Sequence, residues 1–326
     1  MKKLISLFLI AFTLLNLLAS CSNVPKLPKA ENGTTVFTVG GQKINYDYVR
    51  YFYLNTKADM EYGEDENYWE NNPEALNELK AATLETIVHN RAIEMLAERY
   101  KITLTDEEKI AVDDALNELK ADQKSWEEAK KENFMTDYVF AYLQRFSVLW
   151  GKIYDHVTSP ESGIVKADDE TVLADIPINF RNIRYIYISY GESDETVKRA
   201  LAEEALAKAG SGEDFVSLIK SYGEDSTMAN FIDIGYYYTV GAINQDVEKE
   251  VEKLQIGEIS PIIDVKDGFF IVKRENIDLE YAEKNIAIFI DHYVARKFNE
   301  MVAEIESGMK IEPTDFWNNL KLDDIK

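Results

Sequence analysis

The stretch from Arg181 to Glu275 constrains the fold more than any other part of the sequence, because β-rich runs and helical patterns follow one another closely in it. A run of β-branched and aromatic residues, 183–188, opens the stretch. A second such run, 269–273, follows a turn at Asp267-Gly268. Apolar spacing predicts three helices between them, at 195–209, 214–221 and 245–254. This order of elements predicts a small α+β domain.

Six short motifs of this stretch occur together in one known family. They are Arg184 with Ile186, 212–215, 222–225, 233–237, 254–261 and 268–273. In this combination they resemble the motifs of the parvulin-type prolyl isomerases, and the resemblance covers nearly all of 181–275. It implies a parvulin-like domain, inserted into the chain, with an apolar pocket for proline.

The residues expected to catalyse isomerisation depart from the family. The barrier of about 18–20 kcal/mol reflects lost amide resonance, so a catalyst must bind the twisted amide better than the planar forms. The resemblance implies an apolar pocket beside two histidines and an Asp or Cys. Tyr185 and Phe270 occupy the histidine positions here, and Asp225 lies at or next to the acidic one. The chain's histidines, His89, His156 and His292, lie outside the stretch.

Tyr185 and Asp225 are therefore the candidate catalytic residues, and we expect weak or no catalysis. Phe270 cannot form a hydrogen bond, whereas the Tyr185 hydroxyl could partly replace a histidine. An active prolyl isomerase is the alternative. Asp225 could instead be a carboxylate that bonds nearby backbone at a helix end or turn.

Six residues are candidates for substrate binding. By resemblance, Ile234, Ile243 and Val247 stand for the family's pocket Leu, Met and Phe. The other three are Tyr236, Tyr237 and Phe270. For the tyrosines, packing within a strand and core is the alternative interpretation.

The segments on either side are mainly helical. The sequence predicts a hairpin around Gly40-Gly41 and helices at 46–55, from Pro73, from Thr105, from Ser125 and at 136–156. Thr105 and Ser125 each begin a capping-box pattern. A short helix at 165–176 ends before Pro177, and a helix at 281–305 needs a partner for its apolar face. This order resembles the PrsA-type and SurA-type chaperones.

The predicted fold class is α+β. We expect a mainly helical SurA/PrsA-like chaperone domain built from N- and C-terminal segments, with an inserted α+β parvulin-like domain. The expected parts are a signal peptide (1–20), a tether (21–34), the chaperone domain (35–178), the parvulin-like domain (179–275) and returning C-terminal helices (276–326).

The N-terminal sequence has the pattern of a targeting signal. Lys2 and Lys3 precede fifteen mostly apolar residues, 4–18, which are fewer than the roughly 20 a spanning helix needs. The following Leu-Ala-Ser-Cys ending at Cys21 resembles a bacterial lipobox, which implies lipidation of Cys21. An uncleaved signal anchor is the alternative. Cys21 is the only cysteine, so an intrachain disulfide and a cysteine zinc site are excluded.

The charge of the chain limits its partners. A formal charge of −23 argues against nucleic acid, which needs clustered Lys and Arg. The spacing of His, Asp and Glu suggests no metal site, and we expect no cofactor. The expected partners are unfolded secreted proteins and a membrane reached through the lipid; a homodimer is a candidate assembly. The non-enzymatic alternative function is that of a ligand-binding or scaffold lipoprotein.

Overall fold

The computed structural model describes residues 25–62, 64, 66–191 and 195–326. The predicted signal peptide and Cys21 lie outside these ranges. The fold is α+β, as predicted, and the chain divides into two compact units. Unit 1 contains residues up to 87, 103–149 and 310–326, and unit 2 contains 88–102 and 150–309.

The elements before the predicted parvulin-like stretch are mostly helices. In chain order they are β1 Thr35–Val39, β2 Gln42–Asn45, α1 Tyr46–Glu61, α2 Tyr68–Asn71, α3 Ala75–Tyr100, α4 Asp106–Ala121, α5 Gln123–Glu132, α6 Asp137–Thr158, a 3₁₀ turn Pro160–Ser162 and α7 Asp169–Asn179.

Strands and short helices follow, and helices return near the C-terminus. These elements are β3 Phe180–Ser189, α8 Glu195–Gly210, α9 Phe215–Tyr222, α10 Ser226–Asn230, β4 Tyr236–Thr239, α11 Gln245–Val251, β5 Ile263–Val265, β6 Gly268–Glu275, α12 Leu279–Lys284, α13 Ile286–Ser307, β7 Ile311–Pro313 and α14 Asp315–Asn318.

Unit 1 contains a three-stranded sheet in the order β2-β1-β7. The predicted hairpin is present, and φ is 53° at Gly40 and 79° at Gly41, the left-handed conformation a two-residue hairpin turn requires. β7 pairs antiparallel with β1, with Phe37 opposite Pro313. Trp317 packs edge-on against Phe37 at 5.1 Å between ring centroids. The N- and C-terminal segments therefore build one sheet, and the sequence analysis did not predict β7.

One of the two predicted capping boxes in unit 1 is wrong. Thr105 and Glu108 form the predicted capping box at α4. Ser125 does not begin a helix, because α5 begins two residues earlier with Asp122 as its N-cap. The Asp122 side chain accepts a hydrogen bond from the Ser125 backbone N–H at 3.2 Å. Asp and Ser are both good caps, and the carboxylate three residues upstream takes the role.

Unit 2 contains a four-stranded antiparallel sheet in the order β4-β3-β6-β5. β3 lies inside the sheet and pairs with β6 from Asn182 opposite Glu275 to Ser189 opposite Gly268. The buried core of this part combines residues of the sheet with residues of α8, α9, α10 and α11. α10 and β4 are additions to the predicted order of elements, although packing within a strand was the alternative interpretation for the tyrosines of β4.

The boundaries of the predicted insertion fall close to element ends. β3 begins at Phe180 and β6 ends at Glu275. Pro177 was expected after the end of the preceding helix, but it lies inside α7. The Phe180 backbone N–H donates to the Ile176 carbonyl, so the last turn closes around the proline.

The predicted C-terminal helix is two helices, with a break at Asn285. Phe298 of α13 packs against Tyr154 at 5.1 Å between ring centroids. Phe289 packs against Phe180 at 5.3 Å and Tyr237 at 5.2 Å. The apolar face of α13 is therefore buried within unit 2, partly against α6 and partly against the sheet.

The described residues lack a helix that could span a membrane and a cluster that could bind a metal ion. None of the helices there is both long enough and apolar enough to cross a bilayer. The same residues contain no group of three or more His, Cys, Asp or Glu side chains that could hold a metal ion.

Gly235 should be the least replaceable glycine near β4. Its φ is +84°, and a Cβ there would lie 2.1 Å from Asn182 Oδ1. Gly241 has φ +89°, and a Cβ there would meet no atom within 4 Å. Substitution of Gly241 therefore measures the cost of the left-handed backbone conformation alone. We expect Gly241→Ala to lower the free energy of unfolding by about 1 kcal/mol and Gly235→Ala by about 3 kcal/mol. Urea unfolding of both variants measures this, and equal losses would contradict the predicted clash.

Candidate functional site

A hydrogen bond from Tyr185 to Asp225 lies at the centre of the candidate site. Tyr185 is 7% exposed in the middle of β3. Its hydroxyl donates to Asp225 Oδ2 at 2.5 Å. Asp225 is also the N-cap of α10, because its Oδ1 accepts from the Thr227 backbone N–H at 2.8 Å. The carboxylate thus caps a helix with one oxygen and binds the tyrosine with the other.

Aromatic rings surround this pair. Phe270, opposite Tyr187 on β6, lies 5.3 Å from the Tyr185 ring and 4.7 Å from the Tyr187 ring, between centroids. Tyr236 meets Tyr185 edge-on at 6.2 Å. Tyr185, Tyr187, Asp225, Tyr236 and Phe270 are called the tyrosine site below.

The remaining candidate residues lie in different places. Val247 is buried in the core that contains Tyr185, and Ile243 packs at the edge of that core. Ile234 is half-buried in the turn before β4. Tyr237 points away from the tyrosine site, because neighbouring residues of a strand face opposite sides. Its hydroxyl accepts from the Asp278 backbone N–H at 3.1 Å, and its ring stacks on Tyr281.

Arg184 fixes the turn that carries Ile234. Its Nε donates to the Ile232 carbonyl and its Nη2 to the Asp233 carbonyl, both at 2.7 Å. Its Nη1 pairs with Glu275 at 2.8 Å, and both side chains are 17% exposed. A partly buried guanidinium with fixed donors is suited to holding two carbonyls in place. Arg184 thereby ties this turn to the end of β6.

Met228 also belongs to the site, although it was not predicted from the sequence. Met228 is 1% exposed, and its sulfur accepts from the Tyr185 backbone N–H at 3.3 Å. It lies on α10, which brings Asp225 and Met228 to the same part of β3. The signal for this short helix was Asp225 followed by Ser226 and Thr227, a pattern typical of an N-cap.

The Tyr185 hydroxyl stays protonated at neutral pH. Burial of the ring raises its pKa above the ordinary tyrosine value, and the hydrogen bond to Asp225 raises it further. Burial also raises the pKa of Tyr187, with smaller contributions from nearby Asp267 and Asp225. The site can therefore offer a neutral hydroxyl and a carboxylate, without a group that titrates as histidine does.

Carboxylates surround the end of β3 beside the tyrosine site. Glu224 Oε2 accepts from the Ser189 backbone N–H at 2.9 Å, and Lys198 pairs with Glu224 at 2.6 Å. The Tyr187 hydroxyl donates to the Asp267 carbonyl at 3.1 Å, which places Asp267 at the same end. The carboxylates of Glu224, Asp225 and Asp267 outnumber the one ammonium group of Lys198, so these side chains together are negatively charged.

The histidines make their contacts elsewhere. His89 Nδ1 lies 2.7 Å from Glu306 Oε1. The His156 ring packs against Tyr100, and the His292 ring against Phe180. The tyrosine site consequently combines aromatic faces with one hydrogen-bonded pair and contains none of these histidines.

Comparison with known proteins identifies the class of this domain. Residues 186–276 match the family model described as a rotamase, the PPIC-type PPIase domain. The chain therefore carries a domain of the PPIC-type, or parvulin-type, class, as the resemblance predicted.

Relatives of nearly the same length carry one name. Foldase protein PrsA of Clostridium botulinum (strain Loch Maree / Type A3) is 23% identical over 331 residues, which cover 95% of this chain and 91% of the relative. Foldase protein PrsA of Caldanaerobacter subterraneus subsp. tengcongensis is 23% identical over 320 residues, covering 93% and 92%. With the domain match, these relatives support a PrsA-type foldase with a parvulin-type domain.

Solved structures of the same two kinds also match. PrsA from Bacillus subtilis is 19% identical with a TM-score of 0.30, covering 72% of this chain and 86% of that one. NmPin, the parvuline of Nitrosopumilus maritimus, is 31% identical with a TM-score of 0.25, covering 31% of this chain and 99% of that one.

In Tyr185→Phe, the free energy of unfolding should fall less steeply as the pH rises into the alkaline range. The raised pKa means that the tyrosine's contribution is complete below about pH 10 and is lost as the pH rises further, because only the unfolded chain then ionises. Removing the hydroxyl should reduce the slope of the free energy of unfolding against pH by up to about 1.4 kcal/mol per pH unit. Urea unfolding between about pH 8 and about pH 11 measures it.

Tyr62→Phe is the control for this prediction, since the Tyr62 ring is 71% exposed. Equal alkaline slopes in the protein and in Tyr185→Phe would mean that the hydroxyl is not held by Asp225 in solution.

Proposed function

We propose that this protein is an extracytoplasmic, lipid-anchored foldase that binds unfolded secreted proteins. Its parvulin-type domain binds proline-containing segments with weak or no catalysis. The observation that carries the proposal is the tyrosine site of a PPIC-type domain. By resemblance, Tyr185 and Phe270 stand there where the parvulin family has histidines, with Asp225 at or next to the acidic position.

The N-terminal sequence supports the location. Lys2-Lys3, the apolar run 4–18 and the lipobox-like ending at Cys21 form the pattern of a lipoprotein signal. Lipidation of Cys21 with two or more acyl chains gives stable anchoring, whereas a single chain does not. The relatives named foldase protein PrsA support the proposal that the clients of this chain are proteins.

The geometry of the tyrosine site supports binding over catalysis. A proline ring can pack on the faces of Phe270 and Tyr236, which supply apolar area and orientation. Rate enhancement needs polar groups that stabilise the twisted amide more than the planar one. The Tyr185 hydroxyl already donates to Asp225, and Phe270 has no polar atom to contribute. Each tenfold in rate needs about 1.4 kcal/mol of selective stabilisation, and the site has few groups to supply it.

An isomerisation assay separates the foldase from an active isomerase. NMR exchange on a short proline peptide should show a rate less than about tenfold above the uncatalysed one. Asp225→Ala should leave that rate unchanged. The matched control is Asp214→Ala, since Asp214 caps α9 in the same way and its Oδ2 accepts from the Ser217 backbone N–H at 2.9 Å.

A rate enhancement that is lost in Asp225→Ala but kept in Asp214→Ala would establish the enzyme instead. Suppression of aggregation of a chemically unfolded client, measured by light scattering, tests the chaperone part. A chain that neither slows aggregation nor binds proline peptides would be a scaffold lipoprotein.

The acidic residues around the tyrosine site should favour peptides that have a basic residue next to proline. A peptide with lysine next to proline should bind about three- to tenfold more tightly than its glutamate counterpart, because Glu224, Asp225 and Asp267 attract the cation. Fluorescence titration at low ionic strength measures the ratio, which should shrink in high salt. Equal affinities at low salt would show that these carboxylates do not face the ligand.

A further inference from the structure

Residues 25–34, called the leader below, pack against unit 1 without forming a helix or strand. Leu27 packs on the cluster of Val112, Leu116, Trp126, Phe140 and Ala141 from α4, α5 and α6. Arg145 Nη2 donates to the Pro25 carbonyl at 2.9 Å. The beginning of the leader is therefore held by one apolar contact and one hydrogen bond from a charged donor.

A buried carboxylate holds the end of the leader. Asp47, in the first turn of α1, is 3% exposed. Its Oδ2 accepts from the Glu31 backbone N–H at 2.7 Å and its Oδ1 from the Asn32 backbone N–H at 3.0 Å. Both oxygens of a buried charge are thus satisfied by the leader, and releasing the leader would leave that charge without these partners. This makes the docked position favourable.

The leader leaves little free chain next to the proposed anchor. Three residues separate Cys21 from Pro25. Four extended residues span at most about 14 Å. Resting on the lipidation proposed above, we infer that the docked leader mounts unit 1 directly on the lipid surface, with the side formed by the leader and α5 facing the bilayer.

The charge of this side fits a lipid surface better than the rest of the chain does. The leader carries Lys26, Lys29 and a single acid, Glu31. α5 carries three lysines and three glutamates. An anionic bilayer repels most of a chain with a formal charge of −23. With five lysines against four glutamates, the leader and α5 are repelled less than the chain as a whole, and they bring exposed lysines to the headgroups.

The test uses the full lipidated chain in phosphatidylcholine vesicles that contain phosphatidylglycerol and a headgroup-attached quencher. Lys124→Cys places a dye on α5, two residues from Trp126. It labels uniquely, because Cys21 is the only other cysteine and lipidation consumes its thiol. We expect strong quenching of this dye. Adding Leu27→Asp should undock the leader and reduce the quenching at least twofold, whereas Gly33→Asp, with open space at its Cβ, should not.

Trypsin provides a second readout on the same vesicles. Cleavage after Lys26 or Lys29 releases the protein, and mass spectrometry identifies the new N-terminus at Leu27 or Ala30. Docking protects the leader from trypsin, and Leu27→Asp removes that protection. Trypsin should therefore release the Leu27→Asp protein from the vesicles at least tenfold faster than the Gly33→Asp control. Equal release rates, or an unquenched dye on a chain whose Cys21 carries lipid, would overturn this inference alone. A Cys21 without lipid would overturn both the proposed anchor and the inference.

Discussion

The pairing of β3 with β6 is the interaction on which the rest of unit 2 depends. It joins the first strand of the parvulin-type domain to its last, from Asn182 opposite Glu275 to Ser189 opposite Gly268. The ladder places Tyr187 opposite Phe270 and thereby brings together the two sides of the tyrosine site. Arg184 on the same strand ties the turn before β4 to Glu275. A shift of one residue in this register would turn every one of these side chains to the other face.

The tyrosine site is ordered by one carboxylate and by packed rings, without a histidine side chain. Tyr185 is larger than histidine and its hydroxyl reaches Asp225, whose second oxygen caps α10. The same carboxylate thus keeps a structural role whether or not the site catalyses. The Phe270 ring packs on Tyr185 and Tyr187. This part of the site therefore consists of packed aromatic area and has little hydrogen-bonding capacity.

Local signals predicted the parts of the fold that depend on neighbouring residues. The Gly40-Gly41 hairpin and the Thr105 capping box formed as their sequences indicate. β7 was missed because its pairing partner, β1, lies at the other end of the chain. Tyr236 and Tyr237 were both candidates for substrate binding, with packing in a strand as the alternative, and both lie in a strand, β4. Its period of two separates them, and only the known position of the sheet decides which ring meets Tyr185.

The β1–β7 pairing sets an order of assembly for a chain that is made, and in our proposal exported, from its N-terminus. Phe37 emerges early, but its partner Pro313 arrives almost last. The sheet of unit 1 stays incomplete until then, while the parvulin-type domain has all of its strands by Glu275. Unit 1 must therefore wait with an open edge on β1. A chain that lacks residues 311–326 would keep every strand of the parvulin-type domain but would leave unit 1 unfinished.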